Sequence, residues 1–162
     1  MNKIDKIKLR QKDLFIGQIK LANKLNLPLI LHVRDHNDDA YLETINLIEK
    51  HWLFKNALIF HCVSGPLPYI EKALALKNSY FGFDGNITFK KSDSIREIFT
   101  LVQKTNSSKI LLETDAPYLA PEPHRGRICQ PMMIVETADY LEKNLNANLA
   151  EIYQNSLDAF RI

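Results

Sequence analysis

Leu29-Ile30-Leu31-His32-Val33 is the stretch from which the fold can be read. It runs apolar without polar alternation until His32, and Pro28 sits just ahead of it. A short continuous apolar run bounded by a breaker suits a strand covered on both faces. Three more runs repeat the pattern: Ala57-Leu58-Ile59-Phe60-His61, Tyr80-Phe81-Gly82-Phe83 and Ile110-Leu111-Leu112-Glu113-Thr114. Helical patterning fills the intervals. Residues 11–25 place Leu14, Phe15, Ile19, Ala22 and Leu25 on one stripe. A second helix starts at Asp38 or Asp39 and reaches His51, and a third covers residues 67–76. A fourth covers residues 92–103, with Ile95, Ile98, Phe99 and Val102 inward. After a Pro-rich loop over residues 116–130, two more occupy 131–144 and 149–160. Strand and helix alternating four times predict an α/β fold with a parallel sheet. The candidates are a doubly wound sheet or part of a (β/α)8 barrel, which takes about 250 residues when complete. No linker or composition shift divides residues 1–162, so a single domain is expected.

Composition narrows the class. Apolar residues at 46% and charged residues at 25% exclude a disordered or fibrous chain. A net charge of +2 is too small to imply nucleic-acid binding by itself, so phosphates would need local charge or metal. Cys62 and Cys129 lie far apart with no CxxC spacing, which argues against a disulfide framework or structural zinc. No apolar run approaches the roughly 20 residues of a membrane span. The charged N-terminus lacks signal-peptide character, so a cytoplasmic protein without membrane partners is expected.

The chemistry is written at the strand ends. The first run ends on His32, the second on His61, and Asp115 follows the fourth. In parallel α/β folds, sites are built at the carboxyl ends of the strands. Two imidazoles and a carboxylate suit zinc, manganese or a similar divalent ion. Such an ion polarises a phosphoryl oxygen and activates water at neutral pH. Taken singly, each residue also fits a packed core histidine or a turn-starting aspartate. The recurrence at three of four strands is what points to metal.

The segments around these residues resemble the TatD family of metal-dependent deoxyribonucleases. Leu29-Ile30-Leu31-His32-Val33-Arg34-Asp35 is similar to its I-I-H-x-R-D strand, and Phe60-His61-Cys62-Val63-Ser64-Gly65 to its F-H-C-F-S-G. Phe81-Gly82-Phe83-Asp84-Gly85-Asn86-Ile87-Thr88-Phe89 resembles its F-S-G-x-x-T-F segment. Leu111-Leu112-Glu113-Thr114-Asp115-Ala116-Pro117-Tyr118-Leu119, followed by Pro123-His124-Arg125-Gly126, is the strongest match. The resemblance implies a distorted TIM barrel of the amidohydrolase type, hydrolysis of DNA phosphodiester bonds, and divalent metal (Zn, Mg, Mn or similar). It implies His32, His61 and Asp115 as metal-site residues. Asp115 would also be the catalytic general base beside the activated water. The family's opening H-x-H pair and the Glu of its fourth strand have no counterpart here. The chain thus reads as the last four strand–helix units of a partial (β/α)8 barrel plus C-terminal helices, trimmed from a longer parent. A complementing N-terminal half or self-association would then complete it. Asp84, where Ser is usual, and Cys129, often Asn, are further departures.

Other residues attach to this frame. Glu113 lies two before Asp115 and shares its face, placing it behind the metal ligands as their support. Arg34 shares a face with His32, to hold a phosphate or to pair with Asp35 or Glu113. His124 and Arg125, with Arg127, are expected to contact substrate, DNA ends or single strands. His36 and His51 are read as non-ligands, Trp52, Leu53 and Phe54 as core, Cys62 as a small buried hydrophobe, and the basic run Lys3–Lys12 as a solvated face. Two alternatives stand beside the nuclease reading: a non-catalytic fragment or subunit needing its other half, and another amidohydrolase-type hydrolase.

Overall fold

The computed structural model describes residues 3–35 and 39–162. The four apolar runs form one parallel sheet in the sequential order β1 (Leu29–Leu31), β2 (Leu58–Phe60), β3 (Ser79–Phe83) and β4 (Ile110–Leu112). Register pairs Leu29 with Leu58, Phe60 with Phe81, and Phe81 with Ile110. The ladders are shorter than the apolar runs. They stop as the backbone turns into the loops that carry the candidate site. Single bonds still reach past the ends: His61 N–H donates to Leu31 O (2.9 Å) and Glu113 N–H to Phe83 O (3.1 Å).

Among the described residues six α-helices precede, alternate with or follow the strands: α1 (Lys3–Leu25), α2 (Asp39–His51), α3 (Leu67–Ala75), α4 (Asp93–Asn106), α5 (Ile134–Leu145) and α6 (Leu149–Phe160). The helix α1 begins at Lys3 rather than near residue 11, because its basic run is made of good helix formers. Lys8 and Lys12 reach across it to Asp39 (3.3 Å) and Glu43 (2.8 Å) on α2. The predicted stripe on α1 narrows to Phe15, Ile19 and Ala22; Leu14 and Leu25 are exposed. Asp39 opens α2, and the expectations for Asp38 and His36 lie outside the described residues. The loop expected over residues 116–130 carries no α-helix or strand, and a 3-10 turn at Pro131–Met133 precedes α5. Among the described residues no helix is long and apolar enough to cross a membrane.

Strand alternation sorts the core into two unequal layers. Leu29, Leu31, Leu58, Phe60, Phe81, Phe83 and Ile110 face the main core, shared with Ile45, Ile48, Tyr69, Ile70, Ile98 and Phe99. Phe60 stacks on Phe81 at 5.2 Å between centroids, and Phe83 meets Phe99 edge-on at 5.0 Å. The other face holds a small cluster of Ala57, Ile59, Leu111 and Ala159 of α6, with Tyr80 beside it. Ile30, on that same face by register with Ile59, stays 57% exposed, so the sheet is not covered uniformly on both faces. Trp52 is buried and Phe54 half-buried, but Leu53 is exposed, against expectation. Buried Asn155 ties α6 to β4: its side-chain amide donates to Ser107 O and Ile110 O, each at 2.9 Å.

Candidate metal centre

Parallel strands ending at one level bring their next residues together, and here that places His61 at the centre. It follows β2, and its ring is held from both sides. Nδ1 lies 2.9 Å from Glu113 Oε1 and Nε2 lies 3.2 Å from Asp115 Oδ1. Glu113 and Asp115 follow β4, two residues apart in sequence, as same-face alternation predicts. The His32 ring, just beyond β1, sits 5.5 Å from the His61 ring between centroids and is exposed. Three predicted site residues and the supporting Glu113 therefore meet at the carboxyl end of the sheet.

Glu113 organises this corner. Besides His61, its Oε1 accepts the Cys62 backbone N–H at 2.5 Å. The carboxylate lies against Gly82 of β3, where any Cβ would overlap it. A glycine inside a strand often marks such a close approach, and this is the signal sequence reasoning passed over at Gly82. With Glu113 so engaged, it forms no ion pair with Arg34, which is exposed on the rim of the groove beside β1. The side chain of Asp35 accepts the Ala40 N–H in the first turn of α2 at 2.8 Å.

The electrostatics follow. The hydrogen bond from Glu113 raises the His61 imidazole from 6.5 to about 9; burial opposes the rise and Asp115 adds to it. At neutral pH, without metal, His61 is a cation clamped between two carboxylates. Cys62 adopts a left-handed backbone (φ 49) beside His61, with Asn86 Nδ2 3.5 Å from its Sγ. It is half-buried, and burial, with Asp84 adding, pushes its thiol well above the usual range. Asp84 is fully buried, and burial raises its carboxyl. Its Oδ1 accepts the Asn86 N–H at 2.9 Å and caps the 3-10 turn Gly85–Thr88. The Asp84–Asn86–Cys62 contacts were not anticipated beyond the note that Asp84 departs from the family pattern.

The long loop is pinned over that turn. Glu122 N–H donates to Thr88 Oγ1 (2.9 Å), and Leu119 O and Pro121 pack where Gly85 has no side chain. Arg125 lies over the Phe89 ring, 4.3 Å from its centroid, and His124 Nε2 lies 3.4 Å from Glu136 Oε1 on α5. These two expected substrate residues thus belong to the loop layer beside the histidine cluster rather than to the cluster itself. His51 ends α2, which runs back to the amino ends of the strands, and its carbonyl accepts from Asn23 (2.8 Å).

The donors suit a divalent ion in kind. The carboxylate behind Nδ1 is the arrangement that orients a metal-ligating imidazole and leaves Nε2 for the ion. They fall short in number: among the described residues no three His, Cys, Asp or Glu side chains are grouped as an ion would need.

Comparison with known proteins supplies the lineage. The model of the TatD related DNase family matches residues 2–162. YcfH of Escherichia coli K12, described as an uncharacterized metal-dependent hydrolase, is 32% identical over 153 residues, covering 94% of this chain and 55% of that protein. YabD of Bacillus subtilis, described likewise, is 30% identical over 156 residues, covering 94% of this chain and 58% of its own. The crystal structure of YjjV, a TatD homolog from Escherichia coli K12, superposes with a TM-score of 0.76 at 23% identity, covering all of this chain and 60% of that one. The four strand–helix units therefore correspond to part of a TatD-type TIM barrel, and the chain spans about half the length of the curated relatives it matches. On the family match along almost its entire length, this chain belongs to the TatD family.

Proposed function

We propose that the chain contributes a metal-binding cluster to a divalent-metal phosphodiesterase acting on DNA. The observation that carries this reading is His61 gripped by Glu113 and Asp115 with His32 beside it, at the carboxyl ends of the strands. In this reading His32, His61 and Asp115 hold the ion, Glu113 fixes the His61 ring, and Asp115 accepts the proton of the attacking water. A divalent ion held there would supply electrophilic stabilisation of the phosphoryl oxygens. His124, Arg125 and Arg127 present donors to the phosphate backbone, with Arg125 held in place by Phe89.

A second reading is a subunit that binds metal or turns over substrate only with a complementing partner. The shortage of grouped donors among the described residues favours it. Calorimetric titration of the chain with Mn²⁺ and with Zn²⁺, repeated with His32→Ala and His61→Ala and paired with cleavage of single-stranded DNA, tests both. Metal binding lost in either variant, with metal-dependent cleavage, supports the first reading. Metal binding without cleavage favours the second. Binding that survives both substitutions sinks the metal assignment.

A further inference from the structure

The turn between β3 and α4 is held more firmly than a solvent-facing tip requires. Ser92 N–H donates to Phe89 O at 3.2 Å, which closes a four-residue turn with Lys90 and Lys91 at its centre, both exposed. Arg96, in the first turn of α4, commits its guanidinium to this segment. Nη1 donates to Ile87 O (2.9 Å) and Phe89 O (2.8 Å), and Nη2 to Lys90 O (3.3 Å) and Asp93 Oδ1 (2.6 Å). Just upstream, Thr88 Oγ1 donates to Gly85 O at 2.7 Å while accepting the Glu122 N–H at 2.9 Å. The 3-10 turn, the lysine turn and the long loop after β4 are thereby joined into one platform. A solvated turn needs only its own closing bond. Fixing a loop in advance removes an ordering cost that binding would otherwise carry.

The platform is basic. Lys90 and Lys91 share it with Arg125 and Arg127 of the long loop, all four exposed, and Arg125 lies over the ring of Phe89, the residue before the lysine pair. The acidic side chains of residues 84–93 and 116–130 are Asp84, Asp93 and Glu122. Asp84 is fully buried, Asp93 is paired with Arg96, and Glu122 is exposed. Four exposed cations thus outnumber one carboxylate. Nor is this an edge of the fold. The strand β3 is paired on both sides, with β2 and with β4, so the turn after it lies between loops of this same chain. It also stands at the end of the sheet that carries the histidine cluster. Asn86 Nδ2 reaches Cys62 Sγ at 3.5 Å, next to His61, and Lys90 is four residues beyond Asn86, a span of at most about 14 Å.

We propose that Lys90 and Lys91 form, with Arg125 and Arg127, a binding track for the phosphate backbone of one DNA strand, a few nucleotides from the bond cleaved at the histidine cluster. The inference takes its ligand from the proposed DNA substrate and adds two residues to its recognition. Lysine ammonium groups meet phosphates as point charges and read no bases, so the track fixes the position of the strand and not its sequence.

The test is binding of a fluorescein-labelled oligothymidylate of about eight nucleotides to the full chain, read by anisotropy across a salt series without divalent metal. Each phosphate contact to a single strand adds about 0.7 to the salt slope, which is about fivefold in affinity at about 0.1 M salt. Lys90→Ala with Lys91→Ala should therefore lower the slope by about 1.4 and weaken binding by about 25-fold. Circular dichroism should stay unchanged, because both side chains are exposed. Lys72→Ala with Lys104→Ala removes the same charge from exposed positions in the last turns of α3 and α4, and should weaken binding by no more than about twofold. Equal losses in the two double variants, an unchanged slope without Lys90 and Lys91, or no measurable binding by the wild-type chain would overturn the proposal. So would polyglutamate that binds as tightly and loses as much in the Lys90→Ala, Lys91→Ala variant, which would make the platform a dock for an acidic peptide. The metal titration is independent of this readout. Lysine dependence without metal binding keeps the track and removes the phosphodiesterase reading; metal binding without lysine dependence does the reverse.

Discussion

Gly82→Ala is the substitution in which fold and site are most directly coupled. Gly82 is buried on β3, and an added Cβ would overlap three carboxyl atoms of Glu113. A carboxylate at the end of a flexible side chain can swing away, so the steric term is small. What is lost is its bonding: the 2.9 Å pair with His61 Nδ1 and the 2.5 Å bond from Cys62 N–H. Hydrogen bonds to charged groups contribute about 1.5–3 kcal/mol each. Glu113 is 20% exposed and regains some water, so a total of about 2–4 kcal/mol is expected. For a chain of this size that lowers Tm by roughly 5–15 °C. Urea denaturation gives the stability, and nitrogen-15 spectra of the histidine side chains, followed against pH, report the ring. In Gly82→Ala the His61 imidazole should fall back toward its ordinary range, because Glu113 is the largest cause of its rise. Gly17→Ala is the control: nothing lies near its missing Cβ, and on exposed helix it should stabilise by about 0.5–1 kcal/mol. Wild-type stability in Gly82→Ala with unchanged His61 titration would refute the reasoning, since the carboxylate would not then rest on Gly82.

Asn155→Ala removes the donor to Ser107 O and Ile110 O, leaving carbonyls unpaired between α6 and β4. It should cost about 2–4 kcal/mol, seen as a lower urea midpoint at constant slope. The metal-free chain should lose stability at alkaline pH. A histidine whose folded pKa is raised stabilises fully below 6.5, and that increment disappears as pH rises through about 9. His61→Gln should abolish this decline in a pH series of unfolding curves, and a decline of equal size in the variant would remove His61 as its source. Arg125→Ala should weaken DNA binding and lower its salt slope by about 0.7–0.9. It should cost the fold only about 0.5–1 kcal/mol from the Phe89 contact; unchanged anisotropy with labelled DNA would end its role as a phosphate contact.

Much of the architecture is local and was therefore legible. Apolar runs of strand length alternating with 3.6-residue periodicity specify four parallel βα units, and the helix at Leu149–Phe160 appears with the bounds its pattern predicts. The histidines and carboxylates at the strand ends were visible for the same reason, since strands laid side by side bring their ends to one level. The family was legible through motifs spread along nearly the whole chain.

Other features depend on contacts between distant segments. Leu14 and Leu25 belong to an apolar pattern on α1, yet which line of a helix is buried depends on what packs there, and α1 buries the line of Ile19 instead. His61 and Asp115 are 54 residues apart, and their pairing follows from the register that carries β2 through β3 to β4. Gly82 acquires its meaning only when Glu113 crosses over it from the neighbouring strand. Sequence alone set the periodicities, the strand ends and the donor types, because those are properties of consecutive residues. Tertiary structure alone decided that Glu113 and Asp115 take opposite nitrogens of one ring, because that geometry is fixed by inter-strand registry and packing, which no single segment encodes.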